Sequence, residues 1–350
     1  MKKNTFITLI ATFALLLMSH TASGQRVKIS STDNPFPSLS AQEATLHKAT
    51  NPRTASPLKS HSVKTSLSGA TILGWHTYPE PTFWGELKTS GEEVNIWQNE
   101  ELSPDAGFVK DDKLYLYYAK NVSGYLTMRY YVCDLATGSI LEAGDLKNTD
   151  ATQYVFMCAY DDVIDVAYAY TYNADGSAYM LQTIKPSTRI FTKICDISKE
   201  NLPFMIGYDT SEGSLYGITK AGDFVKINLT DGSQTIVKAT GFKPAPYKQA
   251  MTYSPIDKKF VWAALLSDFS ACAITIDPKT GVSEKTGSLP AYTEYKVLST
   301  SDKTPNSTTP AAPVVKSINF PKAALSGSVT VTAPNKYYDN SALTGNVTIT

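Results

Sequence analysis

Six aspartates stand where carboxylates could do acid–base work: Asp111, Asp112, Asp161, Asp162, Asp209 and Asp257. Two carboxyl groups flanking a glycosidic bond can serve as general acid and as base or nucleophile, the chemistry of a glycan-active hydrolase. The same residue is favoured in tight turns, where its carboxylate accepts nearby backbone N–H groups. Spacing favours turn duty, because Asp111, Asp161, Asp209 and Asp257 recur at intervals of 50, 48 and 48 residues. Aspartates so distributed would ring a rim. A hydrolase or lyase would need two of them, such as Asp111 and Asp161, to converge from different repeats in one aromatic-lined pocket.

Other catalytic chemistry is scarce. Of four histidines, His20, His47 and His61 precede the patterned part of the chain, and His76 stands beside Trp75 with no nucleophile elbow nearby. No phosphate-cradling glycine loop or dinucleotide fingerprint is present, so no cofactor is expected. The four cysteines, Cys133, Cys158, Cys195 and Cys272, lie in apolar runs without CxxC spacing. They read as buried small hydrophobes, with a Cys133–Cys158 disulfide as the alternative and no metal site. No residue is assigned as catalytic, and an enzyme is the less favoured expectation. The aromatics Trp75, Tyr78, Phe83, Trp84 and Trp97 concentrate in one short stretch, and Tyr337-Tyr338 lies further on. Flat rings stack on sugars and anchor protein partners, so Trp75, Tyr78, Trp84 and Trp97 are the candidate ligand-binding residues; core packing is the competing use of the same rings.

These residues sit on a repeat. Phe156-Met-Cys-Ala-Tyr160-Asp161, Phe204-Met-Ile-Gly-Tyr208-Asp209 and Ala250-Met-Thr-Tyr253-Ser-Pro-Ile-Asp257 are versions of one phrase, each followed by alternating apolar runs and hairpin turns. Glycines of the last hairpin fall at Gly91, Gly138, Gly232 and Gly281, at intervals of 47, twice 47, and 49. In the skipped position Pro186-Ser-Thr-Arg189 makes the turn without glycine. Four short strands per repeat at this period, with no helical periodicity, predict an all-β chain folded as a β-propeller of about five four-stranded blades. The first unit shows three strands, Thr71–Tyr78, Thr82–Leu87 and Glu93–Trp97; the run Thr293–Leu298 would supply its fourth and close the ring. Small residues Ala159, Gly207 and Ala250 in the presumed inner strands would let backbones crowd near the axis.

Residues 69–299 are assigned to the propeller. Before them, Lys2 and Lys3, the apolar run Phe6–Met18 and Ala22-Ser23-Gly24 form a signal peptide, 1–24. The stretch 25–68, rich in Ser, Thr, Pro and Lys, has no period and reads as a disordered leader. The whole chain has 32 basic and 32 acidic residues, and loss of Lys2 and Lys3 leaves a charge near −2, so nothing steers the protein to nucleic acid. The short apolar run makes a transmembrane protein unexpected.

Residues 300–312 form a Ser/Thr/Pro linker. Beyond it, Pro310-Ala-Ala-Pro313, Gly327-Ser-Val-Thr-Val-Thr-Ala-Pro334 and Leu343-Thr-Gly-Asn-Val-Thr-Ile-Thr350 resemble the N-terminal part of a fibronectin type III domain, over 313–350. Exported β-propeller proteins of the Bacteroidetes group are similar in organisation. Such a β-sandwich needs about 100 residues, so the resemblance implies a fragment. Asn173-Ala-Asp175-Gly176 faintly resembles the Asp-box of sialidase propellers, but the chain has only Arg26, Arg53, Arg129 and Arg189, too few in the repeats to grip a carboxylate. Asp134-Leu-Ala-Thr-Gly138 and Asp277-Pro-Lys-Thr-Gly281 look like the turns of quinoprotein-type propellers; Glu142 and Lys285 stand where those have an aromatic, so hairpins and no quinone are expected. The expected role is an exported, non-enzymatic module that binds a glycan or a protein in the periplasm, at the cell surface or outside the cell, with the glycan-active hydrolase or lyase as the alternative.

Overall fold

A computed structural model describes residues 71–99, 102–122, 125–146, 153–173 and 178–302. The signal peptide, leader, fibronectin-like stretch, most of the linker, Tyr337-Tyr338 and most of the Asn173–Gly176 turn lie outside the described residues.

Five four-stranded antiparallel sheets are arranged as blades around an axis. Blade 1 contains β1 (Ile72–Tyr78), β2 (Phe83–Leu87) and β3 (Glu93–Trp97). Blade 2 is β4 (Ala106–Lys110), β5 (Lys113–Val122), β6 (Tyr125–Asp134) and β7 (Ile140–Asp145). Blade 3 is β8 (Gln153–Asp161), β9 (Val166–Asn173), β10 (Tyr179–Ile184) and β11 (Phe191–Ile197). Blade 4 is β12 (Met205–Asp209), β13 (Ser214–Ile218), β14 (Asp223–Ile227) and β15 (Gln234–Ala239). Blade 5 is β16 (Ala250–Ser254), β17 (Lys259–Leu265), β18 (Ala271–Ile276) and β19 (Ser283–Leu289). The last strand, β20 (Glu294–Thr300), joins blade 1 as its innermost strand, in the order β20-β1-β2-β3.

That strand closes the ring as its sequence suggested. Ile72 pairs with Thr300 and Trp75 with Val297, while β20 contacts both β4 and β16. Closure removes the free inner edge that would otherwise template aggregation. Middle strands are buried on both faces between neighbouring blades, so β17 and β18 are almost continuously apolar. Outer strands show the opposite: β7 is almost wholly exposed.

The 47-residue glycine period has a physical cause at the blade junctions. Gly138 has φ +70°, and a Cβ there would lie 2.5 Å from the Trp97 ring of the preceding blade. Only glycine fits that conformation at that distance. Trp97 also donates its indole N–H to the Leu135 carbonyl in the same turn, at 2.9 Å. Gly232 and Gly281 meet Ile197 and Lys238 of their preceding blades in the same way. Blade 3 lacks the glycine and uses Arg189, at φ +59°. Its guanidinium lies 4.1 Å over the Tyr130 ring of blade 2 and pairs with Glu142.

Asp161 Oδ1 accepts the N–H groups of Val163 and Ile164 and Asp165 has φ +54°, so a turn occupies 162–165 and β9 begins at Val166. All four cysteines are free thiols, two of them buried and two partly buried, so of the two readings the alternative, a Cys133–Cys158 disulfide, is the one that fails: Cys133 lies on the third strand of blade 2 and Cys158 on the innermost strand of blade 3. No described helix is long and apolar enough to cross a membrane.

Candidate functional site

The inner strands β20, β4, β8, β12 and β16 surround a central channel whose two mouths differ. At their N-terminal ends a gap of only about 20 Å³ remains, walled in part by Phe156, Phe204, Lys248 and Gln249, room for about one water. There Lys248, 5% exposed, pairs with Asp105 at 3.1 Å. Burial pushes Asp105 upward, but the charges of Lys248 and Lys296 and the Ala119 N–H bring it below the ordinary carboxylate range. Burial lowers Lys248, with Asp105 opposing.

At the C-terminal ends of the same strands the channel opens into a cavity of about 360 Å³. Three tyrosines, Tyr160, Tyr208 and Tyr253, line it together with Asp111, Asp112, Asp162, Asp165, Asp302 and Lys110. Gly107 and Gly207 stand in its wall where strands pack too closely for a side chain: a Cβ on Gly107 would lie 2.7 Å from the Tyr115 carbonyl, and one on Gly207 2.8 Å from Phe260. Crowding of small residues was expected near the axis, and Ala159 and Gly207 do stand there, yet they line an open acidic mouth rather than a closed seam.

The turns behind the wall repeat from blade to blade. Asp161 and Asp209, both fully buried, end β8 and β12 and accept the N–H groups of the following turn: Val163 and Ile164 in one case, Ser211 and Glu212 in the other. In blade 5 Ser254 takes this place, its Oγ accepting the Asp257 N–H at 3.1 Å. The hydroxyls of Tyr208 and Tyr253 then reach back to the preceding blade. Tyr208 stacks on Tyr168 at 4.8 Å and faces Asp161, and burial together with that carboxylate raises its hydroxyl pKa. Tyr253 meets Ser211 at 2.9 Å, and Ser211 donates to Asp209 at 2.7 Å.

The pattern breaks between blades 2 and 3. Blade 2 has no capping residue; β4 ends at Lys110 and turns through Asp111 and Asp112, both at positive φ, the two-residue turn whose twist matches a hairpin. Tyr160 therefore has no cap to reach, and donates to Asp165 of its own blade at 2.8 Å. Lys110 pairs with the same carboxylate. The paired-carboxylate idea is thus half met: Asp111 and Asp112 from blade 2 converge with Asp162 and Asp165 from blade 3 on one tyrosine-lined cavity, whereas Asp161, Asp209 and Asp257 serve the turns. Lone Asp165 carries no periodic signature, which is why spacing did not single it out.

The four aromatics named from the sequence are elsewhere. Trp75 and Trp84 are wholly buried and Trp97 is 9% exposed; Trp75 meets Trp97 edge to face at 5.5 Å. Tyr78 is partly buried at the opposite end of blade 1, packed against an apolar cluster that includes Tyr292. None of the four lines the wide cavity. Of the two uses open to them, packing is what the structure shows. Cys158, in the cavity wall, is pushed up by burial to about 12 and is a thiol at neutral pH. His76, 3% exposed, is held down at about 4 by burial, so its 3.7 Å approach to Glu93 is no ion pair at neutral pH. Among the described residues, no group of three or more His, Cys, Asp or Glu side chains is placed to hold a metal.

No family model matches the sequence, and no curated protein does. The structure is similar to a Bacteroides thetaiotaomicron protein of unknown function, at 13% identity and TM-score 0.36, over 50% of this chain and 41% of that one. It is similar to a chain of the nidogen/laminin complex at 11% identity and TM-score 0.41, over 66% and 98%. A putative 6-phosphogluconolactonase from Bacteroides fragilis shares 12% identity at TM-score 0.36, over 71% and 100%. The chain thus spans less than half the length of the first of these. Likeness at this level speaks to neither ligand nor activity.

Proposed function

We propose that the protein is an exported binding module whose ligand, a glycan or a protein segment, sits in the wide mouth of the propeller channel. One observation carries this: the self-satisfying pattern of tyrosine and capping residue fails at the junction of blades 2 and 3, where aspartates of both blades face an open cavity. Departures from an otherwise consistent local pattern are where function is sought. Aspartates hydrogen-bond sugar hydroxyls and tyrosines offer flat faces for their rings, a combination suited to a carbohydrate. The N-terminal apolar run supports export, and a fibronectin type III-like tail over 313–350 would act as spacer or adhesive unit.

The convergence of carboxylates from two blades favours a second function, glycan hydrolysis or elimination. A glycan array probed with the full chain separates these. Saturable binding without release of new reducing ends supports the module. Turnover of the bound glycan supports the enzyme. No binding to any glycan removes the sugar as ligand and leaves a protein segment.

A further inference from the structure

The ring and the segments that flank it carry opposite charge. Residues 71–302 hold 20 Lys and Arg against 29 Asp and Glu, whereas residues 1–70 hold eight against two and residues 303–350 four against one. The formally neutral chain is an acidic ring with basic ends. The stretch 44–70 carries Lys48, Arg53, Lys59 and Lys64 and no acidic residue, and it lies beyond the expected cleavage point at Gly24.

This stretch joins the ring at the wide mouth. Thr71 N–H donates to Asp302 Oδ2 at 2.7 Å, and Thr300 Oγ1 donates to the Thr71 carbonyl at 2.9 Å. Asp302 belongs to the wall of the cavity, along with Asp111, Asp112 and Asp162. The most basic part of the chain therefore starts at the rim of an acidic hollow.

We propose that residues 44–70 dock their lysines and arginine against the aspartates of the wide mouth of the same molecule, so that an external ligand binds by displacing them. The inference rests on the mouth being the binding site. Reach is not limiting: Lys64 precedes Thr71 by seven residues, about 24 Å of extended chain. Single exposed charge pairs are weak, but tethering supplies an effective concentration on the order of millimolar, and four cations act together. The attraction is screened as salt rises, the Debye length falling to about 3 Å at 1 M. The C-terminal stretch, with four lysines and Asp339 spread over 303–350, is the weaker competitor.

Zero-length carbodiimide coupling of the dilute full chain, read by peptide mass spectrometry, tests this. Expected are intramolecular amide links from Lys48, Lys59 or Lys64 to Asp111, Asp112 or Asp162 at low salt, falling several-fold in 1 M salt. Trypsin should cut after Lys59 and Lys64 several-fold more slowly than in the Asp111→Asn/Asp112→Asn variant, whose asparagines tolerate positive φ. Absence of those links, links only between molecules, links from Lys316, Lys322 or Lys336 instead, or equal cleavage rates would each overturn the proposal. A glycan bound at the mouth with no such links leaves the binding module standing and removes the tethered occupant. Links with no ligand found on the array do the reverse.

Discussion

The Tyr160 hydroxyl donates to Asp165 at 2.8 Å, within blade 3, where Tyr208 and Tyr253 instead reach back to the blade before them. That change of direction goes with a blade 2 turn that carries no cap and whose Asp111 and Asp112 line the cavity. Burial, and then the Asp165 carboxylate, raise the Tyr160 pKa, so it stays a donor across the physiological range. Tyr160→Phe removes one hydrogen bond from a half-open site and should cost about 1 kcal/mol of stability. It frees a lone pair of Asp165 for a ligand, so affinity at the mouth should change while the urea midpoint moves little. A large midpoint loss would mean that the bond is structural.

Arg189 replaces a glycine at the blade 2–blade 3 junction and recovers the contact with its side chain over Tyr130 and against Glu142. Arg189→Ala should destabilise by about 1 kcal/mol, the worth of a partly exposed cation–π pair. Arg189→Gly loses the same contacts but suits φ +59° and should fall between the two in urea titration. Equal stability of all three would show that the junction does not depend on this residue.

Gly138→Ala places a methyl group 2.5 Å from Trp97 at a left-handed backbone position. Strain and overpacking together should cost about 3 kcal/mol. Equilibrium unfolding that shows a loss well under 1 kcal/mol would contradict the junction described.

Much of this architecture was legible because it repeats. Hairpin glycines and turn aspartates mark backbone geometry that recurs in most blades, so a period near 48 residues carried the blade number, the closing strand and turn duty for Asp161, Asp209 and Asp257. The wide mouth was not legible, because it arises where the repeat fails: Asp165 matches no periodic position, and Lys110 stands where other blades have a cap or its neighbour. Trp75, Trp84 and Trp97 left two uses open for a related reason. Composition places rings in a strand without saying which face they take, and in blade 1 these face blade 2.

His76 is buried and neutral, with its ring stacked on Phe83 at 4.5 Å. Burial holds it at about 4, the Pro81 carbonyl partly opposing, while an unfolded histidine titrates near 6.5. Between these values the unfolded chain binds a proton that the folded chain does not, so stability falls as pH drops from 6.5 to 4, by up to about 3 kcal/mol. Glu93, raised by burial against the Tyr295 hydrogen bond, acts with the opposite sign, losing stability as pH rises. Comparison with His76→Phe isolates the histidine: the wild-type midpoint should fall more steeply on acidification. Parallel profiles would remove His76 as the source.

The wide mouth as the binding site is tested most directly by titrating the full chain with its best array glycan beside Asp162→Asn and Trp84→Phe. Asp162 lines the cavity, whereas Trp84 is buried away from it. The expected result is an affinity loss of tenfold or more, about 1.4 kcal/mol, in Asp162→Asn with its urea midpoint unchanged. Trp84→Phe should bind like wild type even where its midpoint drops. Full affinity in Asp162→Asn, with loss confined to Trp84→Phe, would contradict the site proposed and return the ligand to blade 1.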